Sequence, residues 1–310
     1  MYNYNHLYYF YMTVKSDSVT SAAKHLRISQ PSLSGQLKVL EKFLQVKLFV
    51  KVGRKNKLTQ EGSIIYGFCR QMFELSEEME DSLSRRSQLA PRRIYLGVSN
   101  EIANSFVVEV VSQFINNFES EMRPKVVMVS GSHEKLVEQL RFRELDAMVT
   151  QLATVSPELE NAQHVEVPVN LVATFCKKTM RHRRSADIQG ILKFLEANRI
   201  SGWVMPTVGF KLRAETDRFF ETNSLKGKFV FESDVIESLT RSVVDEVGMA
   251  FLPLIYVPQE IKNHSVFCFG PKEGFWKHRI WLACHKNNKD EDLIKVLSKS
   301  FVEVCDPLIR

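Results

Sequence analysis

The stretch from Ser18 to Leu44, SVTSAAKHLRISQPSLSGQLKVLEKFL, constrains this chain more than any other, because its apolar residues recur at helical spacing on both sides of a short break. Val19, Ala22, Ala23 and Leu26 line one face of a first short helix, and the small alanines permit close approach of a second. The second helix opens where Ser29 or Gln30 precedes Pro31, a residue suited to a first helical turn because its missing N–H has no partner there anyway. Leu33, Leu37, Leu40 and Leu44 then repeat at steps of four, three and four, which leaves Pro31, Gly35, Lys38 and Lys42 on the opposite side. Two helices joined by a tight turn read as a helix-turn-helix. An amphipathic surface pair that meets no DNA is the blander alternative.

On the DNA reading, Gln30, Pro31, Ser32 and Ser34 at the start of the second helix, with Thr20 of the first, face base edges, while Lys38 and Lys42 reach bases or phosphates. Gly35 is costly in mid-helix, by about 1 kcal/mol relative to alanine. It signals either close approach to DNA or a side-chain contact that this chain does without. From Lys47 to Thr59, Leu48, Val50 and Val52 alternate with Phe49, Lys51 and Gly53, which predicts a short two-stranded wing. Arg54 at its tip is placed to enter a minor groove, with Lys51, Lys55 and Lys57 on phosphates.

Charge supports a polyanion at one end only. Residues 1–59 carry ten basic side chains against two acidic ones, a net +8 on a chain whose total is +6, so the remainder stands at −2. A membrane surface would accept the same charge, but no basic helix with exposed bulky apolar residues accompanies it. No apolar run approaches the ~18 residues that span a bilayer, and the start lacks a signal-peptide pattern, so a cytoplasmic protein is expected. The five cysteines are scattered and show neither a disulfide framework nor a metal knuckle.

From Gln60 to about Ser87 there is no proline, and Ile65, Phe68, Met72, Leu75, Met79 and Leu83 recur every three or four residues on an otherwise acidic surface. This predicts a long linker helix that dimerises through Phe68, Met72, Leu75 and Met79, with packing inside one chain as the alternative. After Pro91 the texture changes. Ile94–Val98, 102–117, Lys125–Val129, 133–143 and Asp146–Val149 read as strand, helix, strand, helix, strand in an open parallel sheet, and a second pass of the same kind begins near Pro168. Strand 280–284 and helix 291–304 close the chain.

The run AAKHLRISQPSLSGQLKVLEKFLQVKLFVKVGRKNKLTQEG resembles the N-terminal domain of LysR-type transcriptional regulators. The likeness lies in Ala22-Ala23, Ser29-Gln30-Pro31-Ser32, Leu40-Glu41, Leu48-Phe49, Gly53-Arg54, Leu58-Thr59 and Glu61-Gly62. Many members have arginine where this chain has Gly35, so that base contact is not carried over. The resemblance implies a winged helix-turn-helix over 1–59, a dimerising linker helix over 60–90 and an effector domain over 91–310. That domain is expected to be a two-lobed α/β body like periplasmic binding proteins, with lobe I at 93–168 and 267–310 and lobe II at 169–266. Asn5-His6-Leu7-Tyr8-Tyr9-Phe10 and Ser34-Gly35-Gln36 resemble the branch that activates sodium/proton antiporter genes, which implies Na⁺, alkaline pH or ionic stress as the signal. A small organic effector of a metabolic operon is the alternative. The implied assembly is a homodimer or homotetramer on double-stranded DNA.

Ligands of open α/β sheets sit beyond the carboxyl ends of strands. Those positions are Ser99, Asn100, Ser130, Ser132, Gln151, Pro206 and Thr207, a polar and uncharged set, each of which equally suits a cap or turn. Phe251, in the run Gly248–Pro253, resembles the family's second-lobe strand near the hinge and is expected on the same cleft. Arg181-His182-Arg183-Arg184 reads as a solvated basic loop, and Trp276 and Trp281 as core or lobe-interface residues. No metal or cofactor is expected, since histidines are not at ligand spacing and no dinucleotide, phosphate-loop or nucleophile-elbow motif occurs. An enzyme carrying an accessory DNA-binding head and an architectural DNA binder are the competing classes.

Overall fold

Side-chain caps set the starts of the first three helices. Asn3 Oδ1 accepts from the Asn5 N–H at 3.0 Å and opens α1, Tyr4–Lys15; Ser18 Oγ accepts from Ser21 N–H at 3.1 Å and opens α2, Val19–His25. Ser29 Oγ accepts from Ser32 N–H at 3.2 Å and opens α3, Gln30–Leu44, with Pro31 in its first turn. Between α2 and α3 the chain turns through Arg27, whose φ of 55° is in the left-handed region. The computed structural model describes residues 2–16, 18–52, 55–84, 92–174, 187–197, 202–286, 288 and 291–309. Strands β1, Phe49–Val52, and β2, Lys55–Leu58, pair antiparallel from Phe49↔Leu58 to Val52↔Lys55 as the wing, and α4, Gln60–Ser84, follows.

The chain divides into two compact units, Met1–Ile94 with Glu119–Lys125 and Glu138–Leu145, and Tyr95–Phe118 with Val126–Val137 and Asp146–Arg310. In the first, Phe10, Ala22, Leu33, Leu40 and Leu48 are fully buried in one core, which Cys69 and Phe73 of α4 extend. The α4 helix is anchored to residues 142–143. The Arg70 guanidinium donates to the Arg143 carbonyl at 2.7 Å and to Glu74 Oε2 at 3.2 Å, with the side chains of Arg70 and Glu74 both buried. Gly67 allows this approach, because a Cβ there would stand 1.8 Å from the Phe142 carbonyl oxygen.

The effector body follows as β3, Arg93–Ser99; α5, Asn104–Asn116; β4, Lys125–Gly131; α6, His133–Arg141; β5, Ala147–Thr150; and β6, Leu159–Ala173. Then come α7, Ile188–Ala197; β7, Trp203–Pro206; α8, Lys211–Thr222; β8, Phe229–Ser233; α9, Ile236–Val244; and β9, Ala250–Pro253. The last elements are α10, Pro258–Lys262; β10, Phe267–Phe269; β11, Trp276–His285; and α11, Glu291–Ile309. Among the described residues one seven-stranded sheet runs β10-β6-β11-β5-β3-β4, with β9 also on β6, and β7 pairs β8 in parallel in a second sheet.

The two-lobed α/β body therefore stands, with one correction to the parallel sheet. β3 and β5 are parallel, but β11 runs antiparallel to both β5 and β6, so the sheet is mixed. The reason is that β11 returns to the sheet antiparallel between β5 and β6, while β6 runs on past the end of the β11 ladder at Val169 to carry β9 and β10. The expected boundary at 168/169 falls inside continuous β6. Among the described residues no helix is long and apolar enough to cross a membrane.

Gly67→Ala gains about 1 kcal/mol of helix propensity but drives a methyl into a backbone carbonyl that cannot swing aside. Overpacking of this kind costs about 1–3 kcal/mol, so the substitution is expected to lower the urea midpoint of the full chain; an unchanged or raised midpoint would refute the close approach.

Candidate nucleic-acid interface and effector cleft

The amphipathic pattern of α3 buries Leu33, Leu37 and Leu40 and leaves Gln30, Pro31, Ser32, Gly35, Lys38 and Lys42 exposed on the other side, with Ser34 half-buried beside them. Thr20 of α2 is exposed too, and its hydroxyl donates to Gln30 Oε1 at 3.3 Å, holding that amide at the start of α3. Nothing lies within 4 Å of a Cβ built on Gly35, so packing inside the protein does not require the glycine. Lys51 is exposed on β1. Arg54 lies outside the described residues; Lys55 is placed in β2 by its backbone, and its side chain is outside the described set. The basic loop 181–184 is also outside it.

The face of α4 away from its own core is apolar. Phe68, Met72 and Leu75 are 53%, 40% and 62% exposed, which decides that one copy of the chain leaves this stripe uncovered. Beside it a groove of about 510 Å³ is lined by Tyr2, Tyr4, Leu44, Ile65, Phe68 and Met72. Met79 lies on α4, with its side chain outside the described residues. Burial pushes the Cys69 thiol up to about 12, so the reactive thiolate is scarce there.

The cleft positions divide into supports and wall. Ser99 is buried, and the Asn100 N–H donates to the Gly131 carbonyl at 3.0 Å, tying the end of β3 to that of β4. Ser130 is exposed, Ser132 Oγ accepts weakly from the Lys135 N–H at 3.4 Å as a helix cap, and His133 Nδ1 stands 2.8 Å from Thr150 Oγ1. Burial lowers the His133 pKa, favouring the neutral ring. Pro206 is buried and its carbonyl accepts from Arg213 at 2.9 Å; Thr207 is half-buried. Phe251 is not on the cleft wall. It is 2% exposed and stacks on Trp203 at 5.5 Å within a cluster that includes Phe219, Phe220, Phe275 and Trp276, because strand β9 turns this side chain into the core.

Charged groups missed in the sequence join the two lobes. Lys211, the first residue of α8, donates from its backbone N–H to Glu101 Oε2 at 3.3 Å and from Nζ to the Gln151 carbonyl at 3.2 Å. Gln151, buried, donates to the Glu101 carbonyl, which also accepts from Tyr256 at 3.5 Å. Glu215 on α8 accepts from Trp276 Nε1 at 3.1 Å and stands 2.6 Å from Nδ1 of fully buried His278. Burial raises the Glu101 pKa, opposed by the Lys211 N–H and reinforced by nearby Glu134; burial likewise lowers that of Lys211. Charged groups thus stand beside the uncharged positions expected from sequence, with Lys211 and Glu101 both bonded to Gln151. The available signal was two helix starts, after Ala103 and Phe210, with no capping residue in front of them.

Comparison with known proteins adds the following. A family model described as bacterial regulatory helix-turn-helix protein, lysR family, matches residues 4–63, and the LysR substrate binding domain matches residues 87–306. The transcriptional activator protein NhaR of Escherichia coli (strain K12) is 31% identical over 175 residues, 56% of this chain and 56% of NhaR, so the chain covers little more than half the length of that curated relative. A full-length OxyR variant from Pseudomonas aeruginosa has a similar fold, with a TM-score of 0.68 at 16% identity over 99% of this chain and 97% of that one. LysG from Corynebacterium glutamicum, solved with bound effector Arg, gives a TM-score of 0.61 at 15% identity over 97% of this chain and 99% of LysG.

The raised Glu101 pKa has a pH consequence. The folded state holds this proton more tightly than the unfolded chain, so the associated stability is fully present below the ordinary glutamate pKa and is lost as pH rises through the elevated value. The wild type is therefore expected to lose urea stability relative to Glu101→Gln as pH rises above the ordinary glutamate pKa of about 4.3. A pH-independent difference between the two would show that the carboxyl is not desolvated.

Proposed function

Because the chain belongs to the LysR family of transcriptional regulators, we propose that it is a sequence-specific DNA-binding regulator whose head geometry is set by a small effector held between the two effector-domain lobes. The observation that carries this reading is the α3 face: Gln30, Pro31, Ser32, Gly35, Lys38 and Lys42 are all exposed on a helix that buries Leu33, Leu37 and Leu40 against the head core. Base-edge donors stand at its start and lysines toward its end, the division that positioning and readout require. An effector shifts such a regulator only insofar as it binds one arrangement of the lobes better than another.

The apolar stripe of Phe68, Met72 and Leu75, with the groove beside it, supports a homodimer through α4, which sets two recognition helices on one DNA face. The likeness to NhaR supports a finer reading, an activator of an antiporter gene that answers sodium or ionic stress. Footprinting upstream of the protein's own gene and its neighbours, in sodium and in potassium at equal ionic strength, tests it. Matched ionic strength matters because counterion release alone changes affinity. A footprint that changes length with sodium is the expected result; a firm footprint indifferent to the cation overturns the sodium reading and directs the search to organic effectors. No specific footprint at all overturns the regulator.

Two further outcomes are expected. Gln30→Ala should lower affinity for the specific site by roughly 1–3 kcal/mol and leave nonspecific binding nearly unchanged, whereas Lys51→Ala should weaken both and reduce the salt slope by about one ion. Equal losses on every sequence would overturn that assignment. Leu75→Glu places a charge in the apolar seam, and sedimentation at micromolar concentration should show the monomer fraction rise; an unchanged dimer would refute the seam.

A further inference from the structure

The α5 and α8 helices begin without side-chain caps of their own. Ala103 and Phe210 stand at their N-cap positions, and neither can accept a hydrogen bond through its side chain. Both helices are capped from the opposite lobe instead. Glu237, in the first turn of α9, accepts the Asn104 N–H at the start of α5, and Glu101, just after β3, accepts the Lys211 N–H at the start of α8 at 3.3 Å. The arrangement is reciprocal: a lobe I carboxylate caps a lobe II helix, and a lobe II carboxylate caps a lobe I helix. Negative charge at each site also meets the positive end of a helix dipole.

We propose that Glu101 and Glu237 form an interlobe latch, in which each lobe supplies the missing helix cap of the other and so holds the cleft shut with the chain's own side chains. The two contacts are coupled through the lobes. Separating the lobes uncaps both helices together, so opening costs two caps rather than one. Lys211 strengthens the α8 side by donating from Nζ to the Gln151 carbonyl of lobe I. Burial disfavours the charge on Glu101, and this keeps the latch releasable instead of permanent. An effector that enters the cleft displaces these carboxylates from the N–H groups they occupy. This last step rests on the reading of the cleft as the effector site; the latch itself does not.

The test is hydrogen–deuterium exchange of the full chain, free of DNA, read on peptides covering residues 102–108 and 210–216. Glu101→Ala with Glu237→Ala is expected to speed exchange in both segments by roughly fivefold, the factor for about 1 kcal/mol per lost cap, and to leave β6 and β11 unchanged. Glu101→Gln with Glu237→Gln retains an oxygen acceptor at each position and is expected to exchange like the wild type. Should the double alanine variant fail to fold, the single variants carry the test across the cleft: Glu237→Ala and Glu101→Ala are each expected to speed exchange in both the α5 and the α8 segment, most in the helix that lost its cap, and loosening confined to that one helix overturns the latch. Unchanged exchange in the alanine variants, or equal loosening by glutamine and alanine, overturns the latch. Because the measurement is made without DNA, failure here leaves the regulator reading intact, and loss of the footprint leaves the latch intact.

Discussion

The antiparallel pairing of β6 with β11 is the constraint from which the rest of the effector domain follows. The β6 strand runs for fifteen residues, and β11 accompanies it from His285↔Leu159 to Trp276↔Val169. At about 3.3 Å per residue a strand of this length reaches roughly 50 Å, long enough to belong to both lobes. Val165, Val167, Val169 and Leu171 from one strand and Ile280 and Leu282 from the other are buried, so hydrophobic burial fixes the register. Toward its C-terminal end β6 carries β9 and β10, while β11 carries β5 and through it β3 and β4. The lobes therefore share β6 as a spine, and any movement between them bends this strand beyond the end of the β11 ladder at Val169, together with a change in the contacts across the cleft.

Those cleft contacts are polar, and their energetics suit adjustment. Glu215 links α8 to the spine by accepting from Trp276 while facing His278 at 2.6 Å and Lys211 at 3.8 Å. A carboxylate removed from water needs these donors, and taking one away leaves an acceptor without its partner. The consequence is geometric. Such a network tolerates few arrangements, so the lobes are held in one of a small number of positions, which is the property a two-state effector domain needs.

How much of this was legible in the sequence depends on the range of the interaction concerned. The three head helices, the wing and α4 are legible because local signals mark them: Ser29 before Pro31 in a first turn, leucines every three or four residues, and alternation in the wing. The spine is not. A second pass of strands and helices is expected to begin near Pro168, although proline cannot donate to a ladder. In the structure it pairs with Lys277 inside β6, and the opposite edge of β6 is engaged by β9 only from Val169 onward, so the missing N–H disrupts no ladder there. Phe251 is expected on the cleft from the resemblance of the run 248–253 to the family's second-lobe strand, whereas the aromatic cluster that buries it is assembled from α8, β7 and the approach to β11, segments far apart in the chain. Glu101, Lys211, Glu215 and Glu237 escaped notice for the same reason. Each is an ordinary surface-type residue until the fold brings its partner across from the other lobe.

The α4 helix carries one periodic pattern with two apolar sides. Cys69 and Phe73 are buried in the head core, and Arg70 and Glu74 form a buried pair anchored on the Arg143 carbonyl, so this side is satisfied by the chain itself. Phe68, Met72 and Leu75, offset by one or two residues, remain exposed and join Ile64 in a continuous stripe. A helix packed on one side needs an apolar arc of roughly 100°; the arc here extends well past it. The surplus has a direction, toward the groove lined by Tyr2, Tyr4 and Leu44, so the second apolar side of the helix is continuous with aromatic rings from the start of the chain.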